Sequence, residues 1–269
     1  MPGVELTGPQ AWAEVRAVAC DRRSGAAQLA RRAATALCAL GEHELVDALG
    51  VLLAGHPSMG PLWRLGTALL GSDDHPAAAR RFVEALDRET QLVAAAATAS
   101  LGPRVMTFSY TSMVIKALTR RAAAGPLTVL CSRSEPEGEG AATADALGEH
   151  GIEVQLVGDA EALRRVPGMD AVVTGADAVT PGGVVNKAGT RALAAAARRA
   201  GVAWIVLAGE PKLVGAEIPV VAPFERTPIG LAGAVVAGGQ LLSPGRASAL
   251  AVSRPLDPRL AALLDTKKL

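Results

Sequence analysis

RVMTFSYTSMVIKALTRRAAAGPLTVLCS, residues 104–132, sets two short apolar runs on either side of a stretch with helical spacing. RVMTFS (104–109) and LTVLCS (127–132) have strand length and strand composition, whereas 111–124 repeats apolar residues at helical intervals. A strand, a helix and a second strand in that order imply a crossover connection, and so parallel pairing. The pattern continues with strands expected at EVQLV (153–157), DAVVTG (170–175), AWIVLAG (203–209) and IPVVAP (218–223). Helices are expected near 139–150, 159–165, 187–200 and 228–241. Runs that are apolar throughout, rather than alternating, belong to a sheet covered on both faces. The expected fold class is therefore α/β, with a Rossmann-like parallel sheet in a C-terminal domain spanning 101–269.

Upstream of Leu101 the texture is helical, and residues 1–100 read as a helical N-terminal domain. AAQLARRAATALCAL (26–40) repeats apolar residues at helical spacing, with Ser24 placed to cap its first turn. HELVDALGVLLAG (43–55) and MGPLWRLGTALLG (59–71) continue the pattern, each closed by a glycine. One long helix is expected from His75 to Ser100, opened by Asp73 and Asp74 with Pro76 in its first turn.

Composition narrows the function classes. Among 269 residues, 27 basic and 26 acidic side chains nearly cancel, so direct nucleic-acid binding is not expected. GLAGAVVAGGQLL (230–242) is too short to span a bilayer, and its glycines suit close packing, so no membrane partner is expected. The opening MPGVELTGPQ lacks the basic-then-apolar order of a signal peptide. Cys20, Cys38 and Cys131 lie far apart, without metal-site or disulfide spacing, so a cytoplasmic location with no metal is the expectation.

Open parallel sheets bind ligands beyond the carboxyl ends of their strands. Those ends hold TFSYTS (107–112), CSRSEPEGEG (131–140), TGADAVTPGGVVNKAGT (174–190) and AGEPKL (208–213). Asp177 follows a strand through a Gly–Ala turn, where a shielded carboxyl would keep a raised pKa and serve as an acid near neutrality. Asn186 and Lys187 are expected at a helix start, where a lysine is better explained by a nearby anion than by the macrodipole. Turn capping by Asp177 and solvation of Lys187 are the plainer alternative. Arg133 adjoins a Gly-rich turn suited to phosphate, yet Glu135, Glu137 and Glu139 repel anions from the same loop. Arg22, Arg23, Ser24 and Gly25 also stand at a helix start, as an anion site or as a solvated end.

Taken together, GAD (175–177), NKAGT (186–190), SRSEPEG (132–138), FERTP (224–228) and, more loosely, RRSGAA (22–27) resemble one family. It comprises methylthioribose-1-phosphate isomerase, ribose-1,5-bisphosphate isomerase and the regulatory subunits of translation initiation factor 2B. The resemblance implies a sugar-phosphate pocket between the two domains. Arg23, Ser24 and Gly25 would meet one phosphate from the helical side, Arg133 would bind phosphate from the sheet side, and Asn186 and Lys187 would hold ligand oxygens. Asp177 matches the catalytic acid. The resemblance further implies aldose–ketose isomerisation without a cofactor, and a homodimer.

Three positions depart from the family pattern. Ser134 stands where proline is usual, and TFSYTS places Ser109 at the position of the isomerases' cysteine, with Phe108 in place of histidine. A serine hydroxyl without a base does not exchange protons near neutrality as a thiol does. Two functions remain open on this reading. One is an isomerase of a pentose 1-phosphate, using Asp177 with Ser109 or Cys131 in the second role. The other is a non-catalytic regulatory or scaffold subunit that senses a sugar phosphate or a nucleotide monophosphate. A dehydrogenase is disfavoured because no GxGxxG follows a strand.

Overall fold

The computed structural model describes residues 6–265; residues 1–5 of the opening segment read above, and 266–269, lie outside the described residues. A run of helices comes first: α1 (Gly8–Cys20), α2 (Ala26–Leu37), α3 (Glu42–Gly55), α4 (Gly60–Leu70) and α5 (His75–Thr98). Asp74 caps α5 by accepting from the Ala77 amide at 2.8 Å, and Pro76 sits in the first turn. The expected Ser24 cap of α2 is not made. Gly25 is the N-cap, and the Ser24 hydroxyl turns back to Asp21 at 2.8 Å.

The sheet region follows as β1 (Arg104–Phe108), α6 (Ser112–Ala122), β2 (Thr128–Ser132), α7 (Gly140–Glu149), β3 (Glu153–Val157), α8 (Asp159–Arg165) and β4 (Ala171–Gly175). After these come β5 (Ala178–Thr180), β6 (Gly183–Lys187), α9 (Thr190–Ala200), β7 (Ala203–Leu207), β8 (Phe224–Thr227), β9 (Ala234–Ala237), β10 (Gln240–Leu242), α10 (Pro244–Val252) and α11 (Pro258–Asp265). The larger sheet runs β10-β9-β7-β4-β1-β2-β3, parallel except for β10. The chain steps outward from β1 to β2 and β3, then returns to β4 on the other side. That reversal opens the crevice where α/β proteins bind ligands.

Three expectations are corrected. IPVVAP (218–223) is a connecting segment, with Val221 46% exposed, because no neighbouring strand is there to pair it. Where a helix was expected over 228–241, a 3₁₀ turn at Ile229–Leu231 leads into the β9–β10 hairpin. Gly238 and Gly239 both take positive φ (58° and 69°), the two-residue turn that matches strand twist. The segment between Asp177 and Lys187 is a β5–β6 hairpin, which pairs with β8 in a small antiparallel sheet. Asn186 and Lys187 therefore close a strand, and α9 begins only at Thr190.

The helical region packs around Leu29, Leu37, Leu49, Leu52 and Trp63, and this core extends to Ala178 and Val185 of the small sheet. Each fully buried leucine contributes about 2 kcal/mol of transfer free energy. One face of the large sheet packs under α9 and α10, and the other under α5 and α6. Trp204 on β7 is 1% exposed and donates from Nε1 to the Thr174 hydroxyl of β4 at 3.0 Å. α4 reaches the sheet edge through its first residue, where the Gly60 amide donates to the Asp177 carbonyl at 2.9 Å.

Candidate functional site

Asp177 leaves β4 at its carboxyl end and is fixed at both backbone groups. Its amide donates to the Val185 carbonyl at 2.8 Å, and its carbonyl accepts from Gly60. A Cβ at Gly60 would be crowded, standing 3.1 Å from the Asp177 carbonyl and 3.0 Å from that of Lys212. The Asp177 carboxyl has no hydrogen-bond partner among the described residues. Burial pushes its pKa up to about 6, with the Lys212 charge opposing and the Glu139 charge adding. Lys212, in the 3₁₀ turn Glu210–Lys212 after β7, is 8% exposed. Burial lowers its pKa while Asp177 partly offsets this, and among the described residues its ammonium also has no hydrogen-bond partner.

Beside this pair lies a second group. Lys187, at the end of β6 and 3% exposed, pairs with Glu137 and, at 3.0 Å, with Glu139. Burial alone would lower the Lys187 pKa, but the hydrogen bonds it donates to both carboxylates outweigh it and the pKa is raised. Glu139 also accepts the Ser109 hydroxyl at 3.0 Å. Ser109 follows β1 in a left-handed conformation (φ 67°), its amide donating to the Ser134 hydroxyl at 2.7 Å and its carbonyl accepting from Thr143 at 2.9 Å. Ser134 is left-handed as well (φ 63°). A φ near −65° is all that proline permits, so serine at this family proline position fits the local backbone.

The structure thus brings together Asp177, Ser109 and Lys187, with Asn186 alongside, whose amide donates to Thr190 at 3.0 Å. Arg133 opens the same β2–α7 loop, but its side chain is exposed and makes no hydrogen bond or ion pair among the described residues. Arg23, Ser24 and Gly25 share no hydrogen bond or ion pair with the Asp177 group among the described residues. Asp21 already accepts from the Arg23 amide (2.8 Å), the Ser24 amide (2.9 Å) and the Arg32 guanidinium (2.7 Å). Those bonds, led by the Ser24 amide, hold the Asp21 pKa far below the usual carboxylate range. A carboxylate of the chain itself occupies the amides that an incoming phosphate would need.

Cys131 is fully buried, with Sγ 3.3 Å from the Gly140 carbonyl, and burial pushes its thiol up to about 12. A thiol in that state is inert at neutral pH. Sequence reasoning missed three contributors. In sequence Glu139 is one of three like charges that repel anions, yet in the fold it bridges Ser109 and Lys187. Lys212 stood in plain sight in AGEPKL, at a strand end. The start of α6, just after Ser109, has a Thr111 N-cap that makes no side-chain bond among the described residues, and a helix start of that kind suits an anion.

The family model described as the initiation factor 2 subunit family matches residues 72–220. A Pyrococcus furiosus protein named for translation initiation factor eIF-2B subunit 2, with the suffix "-like", is 30% identical over 203 residues. That match takes in 70% of this chain and 74% of the relative. A ribose 1,5-bisphosphate isomerase of Archaeoglobus fulgidus is 33% identical over 126 residues, 45% of this chain and 40% of the isomerase. The chain therefore matches well under half of that enzyme's length. The crystal structure of the Pyrococcus horikoshii translation initiation factor eIF-2B has the same fold, with a TM-score of 0.78 at 24% identity over 88% of this chain and 98% of that one.

Proposed function

The chain belongs to the initiation factor 2 subunit family, and on that premise we propose that it binds a phosphorylated sugar at the carboxyl edge of its sheet and isomerises it, with Asp177 as the acid. The observation that carries this reading is the Asp177 carboxyl at the strand ends, held at a pKa of about 6 by burial and without a hydrogen-bond partner among the described residues. A carboxyl in that state keeps a useful protonated fraction near neutrality. Asp177 gives its proton to the ring oxygen as the C1–O bond breaks, and the hydrogen on C2 moves to C1. The C2 hydroxyl then gives up its proton, leaving a ketose phosphate with no net gain or loss of atoms. Glu139, already accepting from Ser109, is the acceptor at hand for that last proton. Lys212 stabilises negative charge on the ligand oxygens, since no carboxylate among the described residues is hydrogen-bonded to it and only Asp177 offsets its charge. The resemblance to an isomerase over 126 residues supports the same chemistry.

One observation favours a second reading, in which the chain binds a sugar phosphate or a nucleotide monophosphate as a regulatory subunit. The position of the isomerases' cysteine holds Ser109, and the neighbouring thiol of Cys131 is buried and inert. Incubation with ribose 1,5-bisphosphate and methylthioribose 1-phosphate separates the two, with binding and ketose formation followed together. Turnover that falls at least about a hundredfold in Asp177→Asn supports the isomerase, on the scale expected for loss of a general acid. Binding without turnover supports the regulatory subunit. Absence of both sinks the sugar-phosphate reading.

A further inference from the structure

Within the sugar-phosphate reading, we infer that Glu137 sets the charge of the ligand, so that the pocket takes a sugar carrying one phosphate and disfavours a second phosphate at its Lys187 end. Lys187 is the cation that β6 delivers to the site, and it is already paired twice. One positive charge there faces two negative ones. Glu137 keeps its charge, because the hydrogen bond from Lys187 holds its pKa below the usual carboxylate range. A phosphate arriving at Lys187 must displace Glu137 or lie against two like charges, and both are unfavourable. A sugar hydroxyl meets no such barrier, since it can donate to either carboxylate and accept from the ammonium.

The turn that carries Glu137 is built to stay in place. Asp159, the first residue of α8, accepts from the Ser132 hydroxyl (2.6 Å), the Ser134 amide (2.8 Å) and the Glu135 amide (3.0 Å). The Gly138 amide closes the turn on the Ser134 carbonyl at 3.1 Å, with Gly138 at φ 73°. Glu137 therefore sits on Lys187 from a pinned backbone, and only its side chain can yield. Meanwhile the other anion-friendly turn, at Arg23–Ser24, is filled by Asp21.

Calorimetric titration of the full chain with ribose 1-phosphate and with ribose 1,5-bisphosphate, at one pH and one ionic strength, tests this directly. The unsubstituted protein is expected to prefer the monophosphate by about tenfold or more, and Glu137→Gln to shift that ratio about tenfold towards the bisphosphate, the factor that corresponds to about 1.4 kcal/mol. Glu137 is 52% exposed in its side chain, so the substitution leaves the core untouched, and Glu137→Ala removes the same charge as a second variant. Equal or tighter binding of the bisphosphate by the unsubstituted protein overturns the inference, as does an unchanged ratio in both folded variants. In either case the sugar-phosphate reading stands. Binding of neither sugar by any of the three proteins removes that reading, and the inference with it.

Discussion

Asp177 holds its proton more tightly in the folded chain than in the unfolded one, because burial penalises the charged form. Its protonation favours folding, so the contribution is complete below 3.8 and is lost as the pH rises through about 6. Asp177→Asn removes that loss. The substituted protein should gain on the parent by up to about 3 kcal/mol between pH 4 and pH 7, read from urea midpoints, and a flat difference across that range would contradict the burial account. Thiol chemistry offers a second check at this scale. At neutral pH an alkylating reagent should modify exposed Cys20 and leave Cys131 unreacted until the chain is unfolded. Asp177 and Lys187 were legible because GAD and NKAGT are distinctive strings at strand ends. The partners were not: the Glu139 contacts span 30 residues to Ser109 and 48 to Lys187, and only the folded register brings them together. Asp21 was hidden for the opposite reason. A carboxylate three residues before a hydroxyl reads as ordinary loop polarity, although it fills the Ser24 amide.

The β2–α7 connection is the tightest join between two elements near the site. Gly140 opens α7 against the end of β2, where an added Cβ would fall 1.8 Å from the Ser132 carbonyl. Gly140→Ala should therefore push α7 off the sheet and cost more than about 3 kcal/mol in chemical denaturation. Ser134→Pro, which restores the residue usual in the family, should destabilise by about 3 kcal/mol or more. It demands a φ the backbone does not have and deletes the amide bonded to Asp159. Wild-type stability in that variant would show that the turn tolerates another shape. The parallel core was readable because β1, β2, β3, β4 and β7 are short apolar runs separated by helices. Both hairpins were missed although each carries its turn signal, Pro181–Gly182 after β5 and Gly238–Gly239 after β9. Alanine- and glycine-rich stretches such as 228–241 also satisfy helical spacing, and periodicity alone does not separate the two.

At the scale of the molecule, helices and sheet are tied by a few polar contacts that converge near the site. Glu89 of α5 is 5% exposed and accepts from the Glu210 amide (3.0 Å) and the Gly238 amide (2.9 Å), so one buried carboxylate fixes both the turn bearing Lys212 and the β9–β10 turn. Glu89→Ala would leave two partly buried amides unpaired, at about 1 kcal/mol or more each. Hydrogen exchange should then quicken at 209–213 and 238–239 before it changes in β1 or β4, and uniform acceleration would mean that Glu89 supports the whole fold instead. Trp204 lies on β7, the strand beside β4, which delivers Asp177, and its indole donates to the Thr174 hydroxyl at 3.0 Å. The chain has only two other tryptophans, Trp12 and Trp63, both in the helical region. The molecule thus carries an intrinsic optical reporter beneath its proposed pocket: with Trp12 and Trp63 replaced by phenylalanine, the remaining emission would register occupancy of the site without any attached dye.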